Sequence, residues 1–391
     1  METRESRLLD AIEQQLWHVG QDRFGDAAAR SSLIMGIQQT SRTYTSERDA
    51  GGAVGRGEIH PAARLLFFTP ADLPKLIFTL AELASRGRIQ QDPAHARPLR
   101  VLDLGAGHGA QTLGLLAALD RPHQRRPLTI DALDRDGQAL DLLEAVVSRC
   151  RLAVGIGQGT VLRCAVHDLA GGPPPVAGPY DLVLLGNLLN ELPAEQTGLV
   201  ERLLALLAPQ GHLILIEPAL RETARRLHRL RDDLLQRGEA RVFAPCTRQG
   251  PCPALDAPGD WCHERRPWTA PPRLRALARA ARLRQGDLKW SYLTLTRDPA
   301  TTATIGRTPD QWRAVSDPLP SKGKLDIFVC GEQGRLRAVR LNRHRADSNR
   351  QLQRLRRGRL ATIQGGVSDG AALRLGPDAH VTVEDPAGGG L

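Results

Sequence analysis

Three of the six cysteines in this 391-residue chain fall in one stretch punctuated by proline and glycine: Cys246, Cys252 and Cys262, the last followed by His263. A loop of that composition buries little apolar surface of its own, so three thiols gathered in it point to a metal staple. Cys330 follows a short apolar run, Leu325-Asp-Ile-Phe-Val329, whereas Cys150 and Cys164 sit in segments that read as ordinary helix and strand. A second chemical motif lies upstream, Val101-Leu-Asp103-Leu-Gly105-Ala-Gly107-His-Gly109. Its glycines let the backbone turn tightly beside a ligand, and the helix that follows offers its positive N-terminal end.

Gly105, Gly107 and Ala110 also satisfy G-x-G-x-x-A, so dinucleotide binding is one reading and a plain glycine turn another. Asp103, two residues before the first glycine, favours a third. A dinucleotide brings a pyrophosphate to such a loop, but S-adenosylmethionine brings an ammonium and a sulfonium, which an acid attracts. The run is similar to the first motif of class I methyltransferases. In that frame Asp134, ending the second strand, holds the ribose hydroxyls. Asp168 contacts the adenine, and Gly186-Asn187-Leu-Leu-Asn190-Glu191 lines the transfer pocket. Asn187, Asn190 and Glu191 are candidate catalytic residues, although Asn190 and Glu191 equally suit caps of the next helix. The turn is not the Asn-Pro-Pro-aromatic of enzymes methylating planar amino groups. No catalytic cysteine follows it, as in pyrimidine C5 enzymes, so no general base is assigned.

The elements that must position these residues alternate. From Leu99 onward the pattern predicts strands at 100–104, 128–133, 160–166, 180–185 and 212–216. Helices are expected at 109–119, 137–150, 194–207 and 219–236, giving a parallel sheet covered on both faces. The cysteine loop interrupts this alternation, and 288–295 resumes it as a late strand. Residues 1–95 read as a mainly helical N-terminal region, with Thr69-Pro70 as an N-cap and first-turn proline. Residues 96–300 form the core with a cysteine-rich insertion at 243–268. A linker over 308–320 leads to a small basic β region at 321–376, and 377–391 is expected to be a flexible tail. The expected fold class is therefore α/β, with a Rossmann-like class I methyltransferase sheet.

Composition limits the class further. The hydrophobic share of 41% and charged share of 25% suit a globular protein with ordinary burial. The net charge of +10 is concentrated: twelve Lys or Arg face three acids between Lys322 and Arg359. Arg335, Arg337, Arg340, Arg343, Arg345, Arg350, Arg354, Arg356, Arg357 and Arg359 make this segment a candidate for a polyanion. Met1 to Gly20 has neither a secretory h-region nor the acid-poor character of an organelle leader, which leads to a cytoplasmic expectation. In that compartment clustered thiols stay reduced and more often bind metal.

Ala244-Pro-Cys246, Cys252-Pro-Ala-Leu255, Asp260-Trp-Cys262-His263, Lys289-Trp-Ser-Tyr-Leu293 and the apolar run ending at Cys330 follow the glycine turn in order. Together they resemble the ribosomal small-subunit methyltransferase-like family of mitochondria and bacteria, the methyltransferase-like protein 17 family. The resemblance covers roughly residues 35–360. It implies a 4Fe-4S cluster on Cys246, Cys252, Cys262 and Cys330, S-adenosylmethionine binding, and work on ribosomal RNA in small-subunit assembly through Arg335–Arg359. Four cysteines suit a tetrahedral zinc equally. The spacing alone, matching no ferredoxin run, favours zinc; the resemblance favours iron–sulfur. Alternative readings are a non-catalytic RNA-binding assembly factor with a vestigial cofactor site, and a zinc-stapled small-molecule methyltransferase.

Overall fold

Short runs of Val, Leu and Ile bounded by glycine and polar residues build the first sheet. In the computed structural model, which describes residues 4–25, 30–45, 60–89, 97–120, 127–169, 172–192, 197–283, 286–299 and 308–386, the chain divides into two units. The first comprises Met1–Glu217 with Pro267–Leu288, and the second Pro218–Arg266 with Lys289–Gly389. The division falls inside the 96–300 span that the sequence suggests as one core.

In the first unit, helices α1 (Arg4–Phe24) and α2 (Arg30–Thr45) precede α3 (Pro61–Ala63), a π-turn (Arg64–Phe68) and α4 (Thr69–Ser85). Thr69 is not an N-cap: helical backbone runs through it, and its hydroxyl donates to the Arg64 carbonyl at 2.9 Å. Strand β1 (Leu99–Leu104), helix α5 (Ala110–Ala118), β2 (Leu128–Asp134), α6 (Gly137–Ala153), β3 (Thr160–Val166), β4 (Tyr180–Gly186), α7 (Thr197–Ala205) and β5 (Leu207–Pro218) follow. Residues 194–196 of the expected helix lie outside the described residues. The strands pair in parallel in the order β3-β2-β1-β4-β5. Val101, Leu102, Val183 and Leu213 are fully buried, as strands covered on both faces require. The order reverses between β1 and β4, and α/β sheets bind ligands at the carboxyl ends of such a switch point. The N-terminal helices pack on the crossover helices, α4 against α5 and α1 against α6.

The second unit opens with α8 (Arg221–Gln236), β6 (Arg241–Ala244) and a 3-10 turn (Pro253–Leu255), then β7 (Glu264–Pro267). After α9 (Pro272–Ala280) in the first unit, β8 (Asp287–Thr296) realises the late strand and pairs antiparallel with β6. Next come β9 (Gln311–Ala314), β10 (Leu319–Ser321), β11 (Lys324–Gly331), β12 (Gly334–Leu341), β13 (Leu360–Ser368) and β14 (Ala372–Glu384). Residues 308–320 are therefore not merely a linker, since they supply two strands. Nor does a flexible tail begin at 377, because β14 stays paired with β13 through Glu384; 387–391 lie outside the described residues.

These strands close on themselves. β9 pairs with both β11 and β13, giving the circuit β9-β11-β12-β14-β13-β9, with β12 and β14 parallel and the other neighbours antiparallel. A 3-10 helix (Asp347–Arg354) between β12 and β13 sends Leu352 into the barrel core with Ile327, Val329, Leu336 and Val381, and Leu355 follows it there. Five strands in the order 1-2-3-5-4-1, with a helix between the third and fourth, constitute an OB-fold. Among the described residues no helix is long and apolar enough to cross a membrane.

Candidate functional site

Asp103 lies near the end of β1 with no exposed surface. Thr112, in the first turn of α5, donates its hydroxyl to Asp103 Oδ2 at 2.6 Å, while Oδ1 is buried without a partner. Burial lifts this carboxyl to about 7, although the hydrogen bonds from Thr112 act in the opposite direction. The turn beyond needs its glycines. Gly105, Gly107 and Gly109 have φ of +73°, +49° and +87°, and a side chain on Gly109 would start 2.2 Å from Leu143. Gly107 N–H donates to Asp134 Oδ2 at 2.8 Å, and Asp136 N–H donates to Asp134 Oδ1 at 2.9 Å. Asp134 thus stands beside the turn. His108 is buried and held neutral, pushed down to about 3 by burial and then by Arg64.

Asn187 follows β4 with φ of +57°; its amide donates to Asp72 Oδ2 at 2.8 Å and its Oδ1 is buried without a partner. Gln111 of α5 packs so closely on Gly186 that a Cβ there would meet its amide at 2.2 Å, and Gln111 Oε1 also has no partner. Asn190 donates to the Asn187 carbonyl at 3.0 Å and to Glu217 Oε2 at 2.7 Å, while Glu217 Oε1 accepts from Leu189 N–H at 2.9 Å. Asn190 therefore locks its own turn. Glu191 donates its backbone N–H to Leu188 in that turn at 2.9 Å, and Asp168 is exposed after β3.

The fold thus brings Asp103, the three glycines, Asp134 and Asn187 to the carboxyl ends of β1, β2 and β4. Three buried oxygens without donors, on Asp103, Gln111 and Asn187, make this region an acceptor site. Sequence reasoning missed Thr112, Gln111 and Glu217. Thr112 and Gln111 had a signal, since they occupy the first turn of the helix that the glycines open. Arg64 and Asp72, contributed by the N-terminal helices, had none.

In the second unit, Cys246, Cys252, Cys262 and Cys330 line one cavity of about 280 Å³. None forms a disulfide; Cys252 is buried and the others are half-buried. Burial, then the neighbouring thiols, pushes Cys252, Cys262 and Cys330 up to about 12. Arg231, Arg248, Arg313, Arg335 and Arg357 line the same cavity. Arg231 has no exposed surface, and its pKa is raised by Cys246 and Asp232 despite the opposing cost of burial. Guanidiniums gathered around thiols suit a group of net negative charge, as metal-bound thiolates are. Yet among the described residues no three His, Cys, Asp or Glu side chains form a group that could hold a metal ion. The four thiols share one cavity, and among the described residues their arrangement by itself favours neither a zinc ion nor an iron–sulfur cluster.

Helix α8 holds the cysteine loop by a buried polar face that sequence reasoning overlooked. Arg225 Nη1 donates to the carbonyls of Ala254, Ala257 and Asp260 at 2.9, 2.8 and 2.8 Å. Arg231 donates to the carbonyls of Gly250 and Arg248, both at 2.8 Å. The Asp232 carboxylate accepts from Cys252 N–H at 2.9 Å, and His228 Nε2 from Cys262 N–H at 3.1 Å. Burial first, and Arg231 second, push His228 down to about 4, which keeps the ring neutral and able to accept. His263, stacked on Trp261 with ring centroids 6.0 Å apart, also lines the cavity. Thr247 Oγ1 donates to the Cys330 carbonyl at 2.9 Å, tying the loop to β11 of the barrel.

A family described as mitochondrial small ribosomal subunit Rsm22 matches residues 69–359. The chain belongs to this family. The Rsm22 match takes in the glycine turn and all four cavity cysteines, and it ends at Arg359 of the basic segment. Among curated proteins nothing matches this chain. Solved structures similar to it include the mitomycin 7-O-methyltransferase MmcR, 16% identical over 64% of this chain and 66% of that one, at a TM-score of 0.30. The plantazolicin methyltransferase BpumL in complex with SAH is 12% identical over 68% and 98%, at 0.33. A TehB-like SAM-dependent methyltransferase from Corynebacterium glutamicum is 15% identical over 58% and 98%, at 0.27.

Proposed function

We propose that this Rsm22-family chain binds S-adenosylmethionine at the glycine turn and acts on ribosomal RNA during small-subunit assembly. The observation that carries the cofactor is the acceptor-only set, Asp103 Oδ1, Gln111 Oε1 and Asn187 Oδ1, buried and without donors. An ammonium supplies the donors these oxygens lack, whereas a pyrophosphate supplies only more acceptors. Asp134 would take the ribose hydroxyls, with Asp168 beyond it. Any methyl transfer would then be a direct displacement whose rate comes mainly from alignment.

Cys246, Cys252, Cys262 and Cys330 would hold a 4Fe-4S cluster, in which each thiolate binds its own iron, and their place in one arginine-lined cavity supports this reading. The cluster would supply a structural staple whose negative charge the five cavity arginines balance. The ribosomal partner is supported by the family name and by the basic segment that the match includes.

A second reading, a non-catalytic assembly factor, has its own support. Asn187 is tied to Asp72 and Asn190 to Glu217, so two of the three candidate catalytic side chains serve to hold the turn. A labelled-methyl assay on immature small subunits separates the two. The enzyme reading expects label that Asp103→Ala abolishes; subunit association without label, unchanged in that variant, selects the assembly factor. Anaerobic purification tests the metal: a brown protein with iron and sulfide is expected, and a colourless one carrying zinc would remove the cluster.

A further inference from the structure

The barrel sorts the arginines of the basic segment into two sets. OB-folds usually bind oligonucleotides across the face of their second and third strands and the loops beside it. Here those strands are β11 and β12, and their outer face is engaged. Arg335 pairs with Asp260 of the cysteine loop and stacks on Phe328 at 5.0 Å, and Arg337 pairs with Asp326. Cys330, on the same face, lines the cysteine cavity together with Phe328. Arg340 is buried, donating to the Asn349 carbonyl at 2.9 Å, and Arg359 lies 3.5 Å from Asp385. At the β13–β14 turn the exposed Arg374 is paired with Asp369 at 2.8 Å.

Of the arginines in the basic segment, those left exposed lie on the connection from β12 to β13. Arg343, Arg345, Arg350, Arg354 and Arg356 are all exposed, and the single acid between them is Asp347. Only Arg350 meets it, at 3.5 Å across an exposed surface, a pairing worth little in water. The connection is rigid where it bears charge. Its 3-10 helix has a period of three, which places Asn349, Leu352 and Leu355 inside and turns Arg350 and Arg354 outward. Asn349 is fully buried and donates to the carbonyls of His344 and Gly376 at 2.9 and 3.1 Å. No Phe, Trp or Tyr follows Phe328 in the chain, so the one ring within residues 342–356 is that of His344, whose Nε2 accepts from Arg343 Nε at 3.4 Å, and a row of unstacked bases finds no platform there.

We infer that residues 342–356 form the RNA contact and that they grip the phosphates of an A-form RNA duplex rather than single-stranded bases. Single-strand recognition relies on stacking platforms, whereas duplex RNA is held through shape and backbone. The inference deepens the ribosomal reading by naming the site and the RNA class, and it rests on that reading for its biological setting.

Fluorescence anisotropy with the full chain tests it, using an 18-base-pair RNA duplex and an oligouridine of equal length. The duplex is expected to bind more tightly, with affinity falling steeply as salt rises. Reversing the five arginines (R343E, R345E, R350E, R354E, R356E) should weaken duplex binding by about 100-fold or more, and each arginine removed singly should lower the salt slope by about one. R374E, at an exposed arginine on β14 paired with Asp369, should leave it unchanged, and circular dichroism checks that each variant folds. Tighter binding to oligouridine or to phosphatidylserine vesicles, or duplex binding that survives the five-fold reversal, would overturn the inference. Cosedimentation with immature small subunits separates the two claims. Subunit association without duplex preference removes only this inference, and duplex binding without association removes only the ribosomal reading.

Discussion

A carboxyl held near neutrality beside a site for a cation makes the site's affinity depend on pH. Asp103 is about half protonated at pH 7 because burial penalises its charge. An ammonium at Oδ1 would favour the ionised form, so binding must expel a proton whenever the pH lies below about 7. The affinity for S-adenosylmethionine should therefore rise up to about tenfold per pH unit below 7 and level off above it. Titration calorimetry in two buffers of different ionisation enthalpy would detect the released proton, and a pH-independent affinity would remove Asp103 from the site. The same group sets a stability slope in the ligand-free chain. Its folded pKa lies above its unfolded value, so its favourable contribution is complete below pH 4 and is lost as pH rises through 7, by at most about 4 kcal/mol. Asp103→Asn should flatten that part of the urea-midpoint profile. Glu217 offers a contrasting test: Glu217→Ala strands Leu189 N–H and the Asn190 amide, at a cost of about 2 kcal/mol.

At the level of elements, α8 shows why the cysteine site was only half legible in the sequence. Its arginines look like the solvated face of an amphipathic helix, and nothing in their spacing says that Arg225, His228 and Arg231 are buried. They can be, because the proline-rich loop presents unpaired carbonyls that only donors on a neighbouring element can satisfy. Replacing Arg225 with Met, which keeps the bulk and removes the donors, should destabilise the second unit by about 3 kcal/mol. In the demetallated chain it should also speed alkylation of Cys252 and Cys262 by iodoacetamide, and an unchanged rate would mean the loop holds itself. The parallel strands of the first unit were legible because each is a short apolar run closed by a glycine or polar turn. The barrel was not. β9 and β10 are only four and three residues long amid prolines, and β14 passes through Gly376 and Pro377 without breaking. One strand partner of β9, β13, is distant in sequence, so that pairing is set by closure of the barrel rather than by local pattern.

Across the whole molecule, the two chemistries occupy different units. Every residue assigned to S-adenosylmethionine belongs to the first, while the four cysteines, α8 and the barrel belong to the second. Cys330 is the one thiol carried by the barrel, on β11; the other three lie on the 246–262 loop. A group bound by all four would therefore fasten loop to barrel, whereas the barrel core, built from residues such as Ile327, Leu336 and Leu352, contains none of the four. Cys330→Ser should then separate three properties. Affinity for S-adenosylmethionine should stay within about twofold, because no cofactor residue is disturbed. Duplex binding should persist for the same kind of reason, since residues 342–356 are anchored by Asn349 and Leu352 within the barrel itself. Hydrogen exchange over 246–262 should rise sharply, and association with immature small subunits should fall if the particle requires loop and barrel fixed together. Loss of S-adenosylmethionine binding in a variant that still folds would show that the cysteines serve the cofactor site, and that the division between the units is not functional.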